Sequence, residues 1–177
     1  MKSKYDVIVV GGGTAGVIAA IQAGRAGAAT LLVEKNGILG GTITMGGINA
    51  PAAFFAWGKQ VIGGIGWELV RRTLGETGQA VPDGALSRER QRPLNVVIDR
   101  TVFAALCDEL VLDAGVDLLF HAMPAAVSSG KDRWNVDVCT KTGLKKMRAK
   151  VLIDATGDAN LVSLAGFGLI RPREVQP

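Results

Sequence analysis

The first 34 residues consist of apolar runs separated by short glycine-rich or polar breaks. Residues 5–10 read as a buried strand despite Asp6, and residues 14–26 are apolar at helical spacing. A second short apolar run, at 30–34, predicts another strand. The pattern therefore predicts strand, helix and strand, the opening unit of a parallel sheet.

The rest of the chain predicts a mixture of helices and strands. Asp99 is a residue type that caps helices, and Gly115 is one that ends them. Three loosely alternating segments separated by short turns predict a three-stranded antiparallel meander. The meander strands are predicted at 122–128, 133–140 and 145–151, helices at 65–74, 100–114 and 159–165, and further strands at 116–120 and from 151 onward.

Together these elements predict an α/β fold. It has a central parallel sheet flanked by helices, with the antiparallel meander placed between its third and fourth parallel strands. We expect residues 1–177 to form one domain, with a long loop and helix insertion at 43–98. The insertion holds a bulky group, Phe54, Phe55 and Trp57, which suits either buried packing or a loop facing a ligand.

The break after the first strand carries the most specific chemistry. Gly11, Gly13 and Gly16 fit the G-x-G-x-x-G spacing. The first glycine of such a motif makes the tight turn, the second lets the backbone approach a diphosphate, and the third lets helix and strand pack closely. Glu34 follows about 20 residues later, where a carboxylate accepts hydrogen bonds from a ribose. These residues predict a dinucleotide site, although Glu34 alone could be a surface residue at a strand end.

Composition and charge narrow the function further. The chain has a net charge of +4 and a pI of about 9.3, but its basic residues are scattered, and the cluster at 88–92 is interleaved with polar groups. This favours a solvated loop over a nucleic-acid patch. No apolar run approaches the ~20 residues that span a membrane, so we expect a cytoplasmic protein that binds neither nucleic acid nor membranes. Its oligomeric state is open.

The metal and thiol chemistry of the sequence is sparse. Cys107 and Cys139 have no C-x-x-C spacing and are expected to be small buried residues in a reducing compartment. His121 is the single histidine and has no cluster of ligands near it in sequence. We therefore expect no metal site.

Three stretches together resemble the FAD-dependent oxidoreductases with two dinucleotide-binding domains. Residues 6–16 are similar to the phosphate-binding turn of that family. Residues 33–35 and 39–42 resemble its ribose contact and the glycine pair that passes under the diphosphate and ribityl chain. Residues 149–158 resemble its A-T-G strand, whose turn closes over FAD. The order and spacing agree from about residue 4 to residue 165. The resemblance therefore implies the FAD-binding portion of such an enzyme, with a Rossmann-like FAD/NAD(P)-binding fold.

The resemblance also implies roles for individual residues. The phosphate-binding turn would hold the diphosphate through backbone N–H groups, Glu34 would bind the ribose and Lys35 would lie beside the adenine. Met123 would give adenine a backbone contact. Asp158 would approach the ribityl–phosphate region or cap the next helix. The implied cofactor-binding residues are Gly11, Gly13, Thr14, Ala15, Gly16, Glu34, Lys35, Gly40, Gly41, Thr42, Met123, Ala155, Gly157 and Asp158.

Two departures from the family shape the expected activity. Disulfide reductases of this superfamily have a redox cysteine pair after the Gly-Gly-Thr, whereas residues 43–49 here contain no cysteine. We therefore expect electrons or hydride to pass directly between flavin and a small-molecule substrate. Family members also continue into a substrate domain, and this chain stops near where that domain would begin, at 171–177, so we expect a truncated chain whose turnover alone is doubtful.

Two other functions stay open at this level. Glu34 suits an NAD(P)-dependent dehydrogenase as well as a flavoenzyme, and a non-catalytic dinucleotide-binding module fits the same motifs. Catalytic residues are not assigned. Trp57, Lys59 and Gln60 could face the flavin ring, and Arg71 and Arg72 could face an acidic substrate, but packing and a solvated helix face explain them equally well or better.

Overall fold

A computed structural model describes residues 2–51, 54–82 and 96–169 of the chain. The strands in these ranges are β1 (Lys4–Val10), β2 (Thr30–Val33), β3 (Phe55–Ala56), β4 (Lys59–Gln60), β5 (Asp117–Leu119), β6 (Met123–Ser129), β7 (Trp134–Thr140) and β8 (Gly143–Asp154). The helices are α1 (Thr14–Arg25), α2 (Gly64–Glu76), α3 (Arg100–Asp113) and α4 (Asn160–Leu164).

Six of the described strands form a mostly parallel sheet with the order β5-β2-β1-β8-β7-β6, and a small two-stranded sheet pairs β3 with β4. The predicted α/β fold is confirmed.

The opening β1-α1-β2 unit forms as its apolar pattern predicts. β1 and β2 run parallel, with Val9 opposite Leu32, and both of these side chains are fully buried. α1 packs Val17 and Ile21 into the same core. The carboxyl ends of the two strands and the amino end of the helix therefore meet at one edge of the sheet.

The largest difference from the prediction concerns β8. The sequence pattern predicts the third meander strand and the fourth parallel strand as separate elements, but they are one continuous strand, Gly143–Asp154. Its first half pairs antiparallel with β7 and its second half pairs parallel with β1. Ala149 is paired with Tyr5 on one side and Trp134 on the other. No turn-forming residue separates the two halves in sequence, so nothing breaks the strand.

Two apolar clusters cover the two faces of the sheet. On one face α1, α2 and α3 pack around Val9, Leu32 and Phe103. On the other face the meander strands bring Val136, Val138 and Met147 against Ile8 and Leu31. The meander is therefore a cover for the parallel strands as well as part of their sheet.

The predicted loop and helix insertion at 43–98 contains a short hairpin that the sequence pattern does not predict, formed by β3 and β4. Phe54 and Phe55 are buried and their rings lie 5.1 and 5.2 Å from that of Trp67 on α2. Trp57 is 81% exposed, so it is not part of this packing. Packing thus explains two of the three bulky residues.

The two cysteines differ in burial, which corrects one expectation. Cys107 is buried as expected, but Cys139 is exposed, because it lies on a side of β7 that the apolar cover does not use. The predicted basic loop at 88–92 and the terminal segment 171–177 lie outside the described residues.

Candidate dinucleotide-binding site

A cavity of about 740 Å³ opens where the carboxyl ends of β1, β2 and β8 meet the first turn of α1. The carboxyl edge of a parallel sheet is where ligands of such folds bind. The start of β6 and the start of α4 contribute further walls. The cavity is lined by Val10, Gly11, Gly13, Thr14, Ala15, Val33, Glu34, Lys35, Asn36, Gly41, Thr42, Met45, Gly46, Ala122, Met123, Pro124, Ala155, Thr156, Gly157, Asn160, Ser163 and Leu164.

The cavity brings together most of the residues that the sequence marks as cofactor-binding, although they are spread over nearly 150 positions. Three of the marked residues do not line it: Gly16, Gly40 and Asp158. The first two lie behind the lining and shape it through packing, as described below. Whether the lining residues contact a cofactor stays a prediction.

At Gly11 and Gly16 the surrounding protein backbone leaves no room for a side chain. A Cβ on Gly11 would lie 2.3 Å from the carbonyl oxygen of Ala155, and the residue has φ +102°. A Cβ on Gly16 would lie 1.8 Å from the carbonyl oxygen of Gly11. These two glycines allow β1, α1 and the end of β8 to approach one another.

Gly13 is different, because nothing in the described protein requires a glycine there. Its φ of −68° is open to any residue, and a Cβ on it would have the Gly41 Cα as its nearest neighbour, at 3.9 Å. Gly13 nevertheless faces the cavity. A bare backbone with space above it is what the approach of a ligand would need.

The first turn of α1 places N–H groups that lack an acceptor within the helix beside that space. Gly13 is the N-cap and no side chain caps the helix, and the first helical bond runs from the Val17 N–H to the Gly13 carbonyl oxygen at 2.9 Å. The N–H groups of Thr14 and Ala15 thus have no acceptor within the helix. Together with the helix dipole they favour an anionic group at this point.

Glu34 is buried at the end of β2 with its carboxylate at the cavity wall. Its Oε2 accepts a hydrogen bond from the Gly12 N–H at 2.6 Å. Its Oε1 accepts from the backbone N–H of Asn36 at 2.7 Å and from the side-chain amide of the same residue at 2.8 Å. The bond to Gly12 joins the acid directly to the glycine turn, so the two sequence motifs form one structural unit.

The glycine pair at 40 and 41 lies against this turn. The Gly40 N–H donates to the Gly12 carbonyl oxygen at 2.8 Å. A Cβ on Gly41 would lie 2.7 Å from the Gly13 Cα, and Gly41 has φ +53°. Close backbone packing against the glycine turn therefore explains Gly41. Gly40 has φ +101°, and a Cβ on it would lie 2.6 Å from the Thr44 side chain. Thr42 follows the pair along the cavity wall.

The turn after β8 is held by Asp154. Its Oδ1 accepts from the N–H and the hydroxyl of Thr156 at 2.9 and 2.7 Å, and its Oδ2 accepts from the Val162 N–H at 2.9 Å. Partial burial raises the pKa of Asp154, but these hydrogen bonds outweigh burial and hold the pKa below its usual value. Asp154 thus fixes Ala155 and Gly157 at the cavity wall.

Asp158 does not cap the following helix. The N-cap of α4 is Ala159, which has no side-chain cap. Thr156 instead accepts a hydrogen bond from the Asn160 N–H at 3.0 Å, which ties the turn to the helix. Asp154 and Thr156 therefore accept hydrogen bonds from N–H groups at the start of α4, the role that was considered for Asp158.

Sequence reasoning missed some of the lining. Asn36 lies two residues after Glu34. An amide side chain so close to the predicted ribose-binding acid could have indicated that it belongs to the site. Thr156 lies within the A-T-G turn that the resemblance covers. Met45, Pro124 and Ser163 had no such signal, because loop and helix packing brings them to the cavity. Within the described residues there is no cluster of His, Cys, Asp and Glu that could hold a metal ion.

The comparison with known families bears directly on this cavity. A family model described as FAD dependent oxidoreductase matches residues 6–176. The chain belongs to the FAD-dependent oxidoreductase family. This flavoenzyme family uses FAD as its cofactor, and the free N–H groups, the bare Gly13 and the buried acid fit its dinucleotide.

Two relatives of this chain are named as different enzymes. Digeranylgeranylglycerophospholipid reductase 1 of Methanopyrus kandleri is 31% identical over 170 residues, covering 87% of this chain and 40% of that protein. Thiamine thiazole synthase of Metallosphaera sedula is 28% identical over 189 residues, covering 97% of this chain and 63% of that protein. The chain thus spans less than two thirds of the length of either relative.

Solved structures agree on the fold. A geranylgeranyl bacteriochlorophyll reductase-like protein from Thermoplasma acidophilum superposes with a TM-score of 0.64 at 21% identity, over 96% of this chain and 44% of that one. At this identity the likeness shows the Rossmann-like architecture alone. In the described ranges, none of the helices has the length and apolar character needed to cross a membrane.

Proposed function

We propose that the cavity binds the adenine dinucleotide part of FAD and that the protein transfers electrons or hydride directly between this flavin and a small-molecule substrate. The observation that carries the proposal is Gly13. It faces the cavity, no contact among the described residues requires its lack of a side chain, and N–H groups of α1 without an acceptor in the helix lie beside it. A diphosphate would use both features at once.

We propose the following division of the site. Backbone N–H groups at Gly13, Thr14 and Ala15 bind the diphosphate, with Gly11 and Gly16 allowing the approach. Glu34 accepts from the ribose, and Lys35 and Met123 lie beside the adenine. The segment from Gly40 to Thr42 and the turn containing Ala155, Gly157 and Asp158 lead toward the ribityl chain. All of the residues in this division line the cavity wall, which supports their proposed roles, except Gly16, Gly40 and Asp158.

The flavin supplies hydride or electron transfer when it is bound, and the chain supplies binding and orientation. Residues 43–49 contain no cysteine, which supports direct transfer without a dithiol relay. We assign no catalytic residue. The relatives are named as a digeranylgeranylglycerophospholipid reductase and a thiamine thiazole synthase. These names share no substrate, so no substrate is proposed.

We further propose that residues 1–177 form the FAD-binding domain of a longer enzyme, with 43–98 as an insertion. The short coverage of the relatives supports this arrangement. A cytoplasmic location is supported by two unpaired cysteines, one of them exposed, as expected in a reducing compartment. Fractionation of the native cell would test the location.

Titration of the full chain with FAD tests the proposal, using the shift of the flavin absorbance bands as the signal. We expect saturable binding of FAD and little binding of NADH. A protein that binds NADH and ignores FAD would support a nicotinamide-dependent dehydrogenase instead. A protein that retains FAD but whose flavin no substrate or donor reduces, even in the longer parent enzyme, would support a non-catalytic module.

A further inference from the structure

The two carboxylate oxygens of Glu34 accept different numbers of hydrogen bonds from the protein. Oε1 receives two N–H groups, both from Asn36, whereas Oε2 receives one, from Gly12. A carboxylate offers about four acceptor positions. One position therefore remains, and it is on Oε2.

The side-chain amide of Asn36 makes its hydrogen bond in a segment, residues 34–36, that backbone hydrogen bonds already hold in place. The Asn36 N–H donates to Oε1 of the Glu34 side chain. Between backbone groups, the Asn36 carbonyl oxygen accepts from the His121 N–H at 3.2 Å. The Glu34 carbonyl oxygen likewise accepts from the Ala122 N–H at 3.0 Å. These backbone bonds hold the segment in place, so the amide of Asn36 has a separate effect: it fixes the rotation of the carboxylate.

We propose that Asn36 is a positioning residue that holds Glu34 with the remaining acceptor position of Oε2 toward a sugar hydroxyl in the cavity. Both residues line the cavity, and this inference rests on the proposed function. Two donors on Oε1 and one on Oε2 prevent the carboxylate from turning without losing hydrogen bonds. The acid is thus preorganised for its ligand.

The proposal predicts a loss confined to ligands that carry ribose hydroxyls. Asn36→Ala removes one donor from Oε1 and keeps the backbone N–H bond, so the turn remains while the carboxylate gains freedom to rotate. ADP should then bind about 5- to 10-fold more weakly. Binding of 2′,3′-dideoxy-ADP, which cannot donate to Glu34 from its sugar, should change by less than about twofold.

The experiment is calorimetric titration of the full chain with FAD, ADP and 2′,3′-dideoxy-ADP. It compares wild type with Asn36→Ala, with Asn36→Leu and with the control Asn135→Ala. Asn135 lies on β7 outside the cavity, so its variant should bind all three ligands like wild type. Asn36→Leu keeps a side chain of similar size, removes the donor and adds no charge, so it should show the same selective loss of ADP affinity.

The outcomes separate this inference from the proposed function. If wild type binds neither FAD nor ADP, the proposed function fails and the inference fails with it. If wild type binds FAD and ADP but the Asn36 variants weaken ADP and dideoxy-ADP equally, or weaken neither, only the inference is overturned. Failure of both Asn36 variants to fold would assign the amide to stability and would also overturn it.

Discussion

Gly13 and Gly16 belong to one turn, but their substitution should have opposite consequences. A side chain at Gly16 would collide with the backbone of Gly11, whereas a side chain at Gly13 would meet no atom closer than 3.9 Å. We therefore expect Gly16 to be required for folding and Gly13 to be required only for a ligand that enters the cavity. Folding and binding can therefore be separated by two substitutions of the same type.

We expect Gly13→Ala to fold with nearly unchanged stability and to bind FAD about 10-fold or more weakly, because its methyl group occupies the space of the diphosphate. Gly16→Ala should lose about 3 kcal/mol or more of stability through overpacking. Denaturant unfolding and FAD titration measure the two effects separately.

The matched control for these variants is Gly75→Ala. Gly75 lies near the end of α2 with no atom within 4 Å of a new Cβ, so alanine should stabilise the protein by about 0.5–1 kcal/mol and leave FAD binding unchanged. A Gly13→Ala protein with wild-type FAD affinity would contradict the assignment of the diphosphate to this turn.

The two cysteines should differ in reactivity because their surroundings differ. Cys107 is fully buried on α3, and burial, with a smaller contribution from the negative charge of Asp108, raises the pKa of its thiol to about 12. Cys139 is exposed. Thiolate is the reactive form, so a disulfide reagent should label one thiol in the native protein and both after denaturation.

Replacement of Cys139 by serine should then abolish native labelling, while Cys107→Ser should leave it unchanged. Mass spectrometry of the labelled protein identifies the modified residue. Rapid native labelling of Cys107 would show that α3 opens far more readily than its packing indicates.

Asp154 links two elements, the end of β8 and the start of α4. Its carboxylate accepts from Thr156 in the turn and from Val162 in the helix. α4 is five residues long and has no side-chain cap of its own, and so short a helix is marginal without tertiary contacts. Asp154 therefore helps to set the position of this wall of the cavity, together with Thr156, which accepts from the Asn160 N–H.

This dependence predicts a pH effect on stability. The folded-state pKa of Asp154 is lowered, so its contribution is complete above the unfolded pKa of about 3.9 and disappears as pH falls through the folded value. We expect Asp154→Asn to be less stable than wild type at neutral pH, with a difference that shrinks below about pH 4. Denaturant unfolding of both proteins across this pH range measures it. A difference that stays constant in acid would show that charge on Asp154 contributes nothing.

The continuous β8 strand makes the parallel and antiparallel halves of the main sheet parts of one structure. The meander strands also cover the parallel strands with their apolar side chains. Such shared burial favours opening of both halves in a single cooperative step.

Native-state hydrogen exchange should therefore give similar opening free energies for amides in β1, such as Ile8 and Val9, and in β7, such as Val136 and Val138. The edge strands β5 and β6 should exchange sooner, because each has a neighbour on one side only. Much lower protection throughout β7 than in β1 would show that the meander unfolds independently.

Features that depend on local spacing could be predicted from the sequence. The strand at 4–10, α1, α3 with its Asp99 cap and the glycine turn all follow from periodicity, capping chemistry and motif spacing. The lack of a turn-forming residue in the sequence permits one continuous β8, but it does not by itself unite the two predicted strands. Residues 145–151 satisfy the pattern of a meander strand, and residues from 151 that of a parallel strand, so only pairing on both sides at Ala149 joins them.

The same division applies to the site. Spacing along the chain identified Gly11, Gly13 and Glu34, because turn geometry and strand length fix where such residues lie in a β-α-β unit. The amide of Asn36 on the Glu34 carboxylate and the empty space above Gly13 arise from atoms brought together by folding. Hydrophobic order and glycine spacing are properties of a linear chain. Hydrogen-bond occupancy and free volume exist only after distant segments have packed.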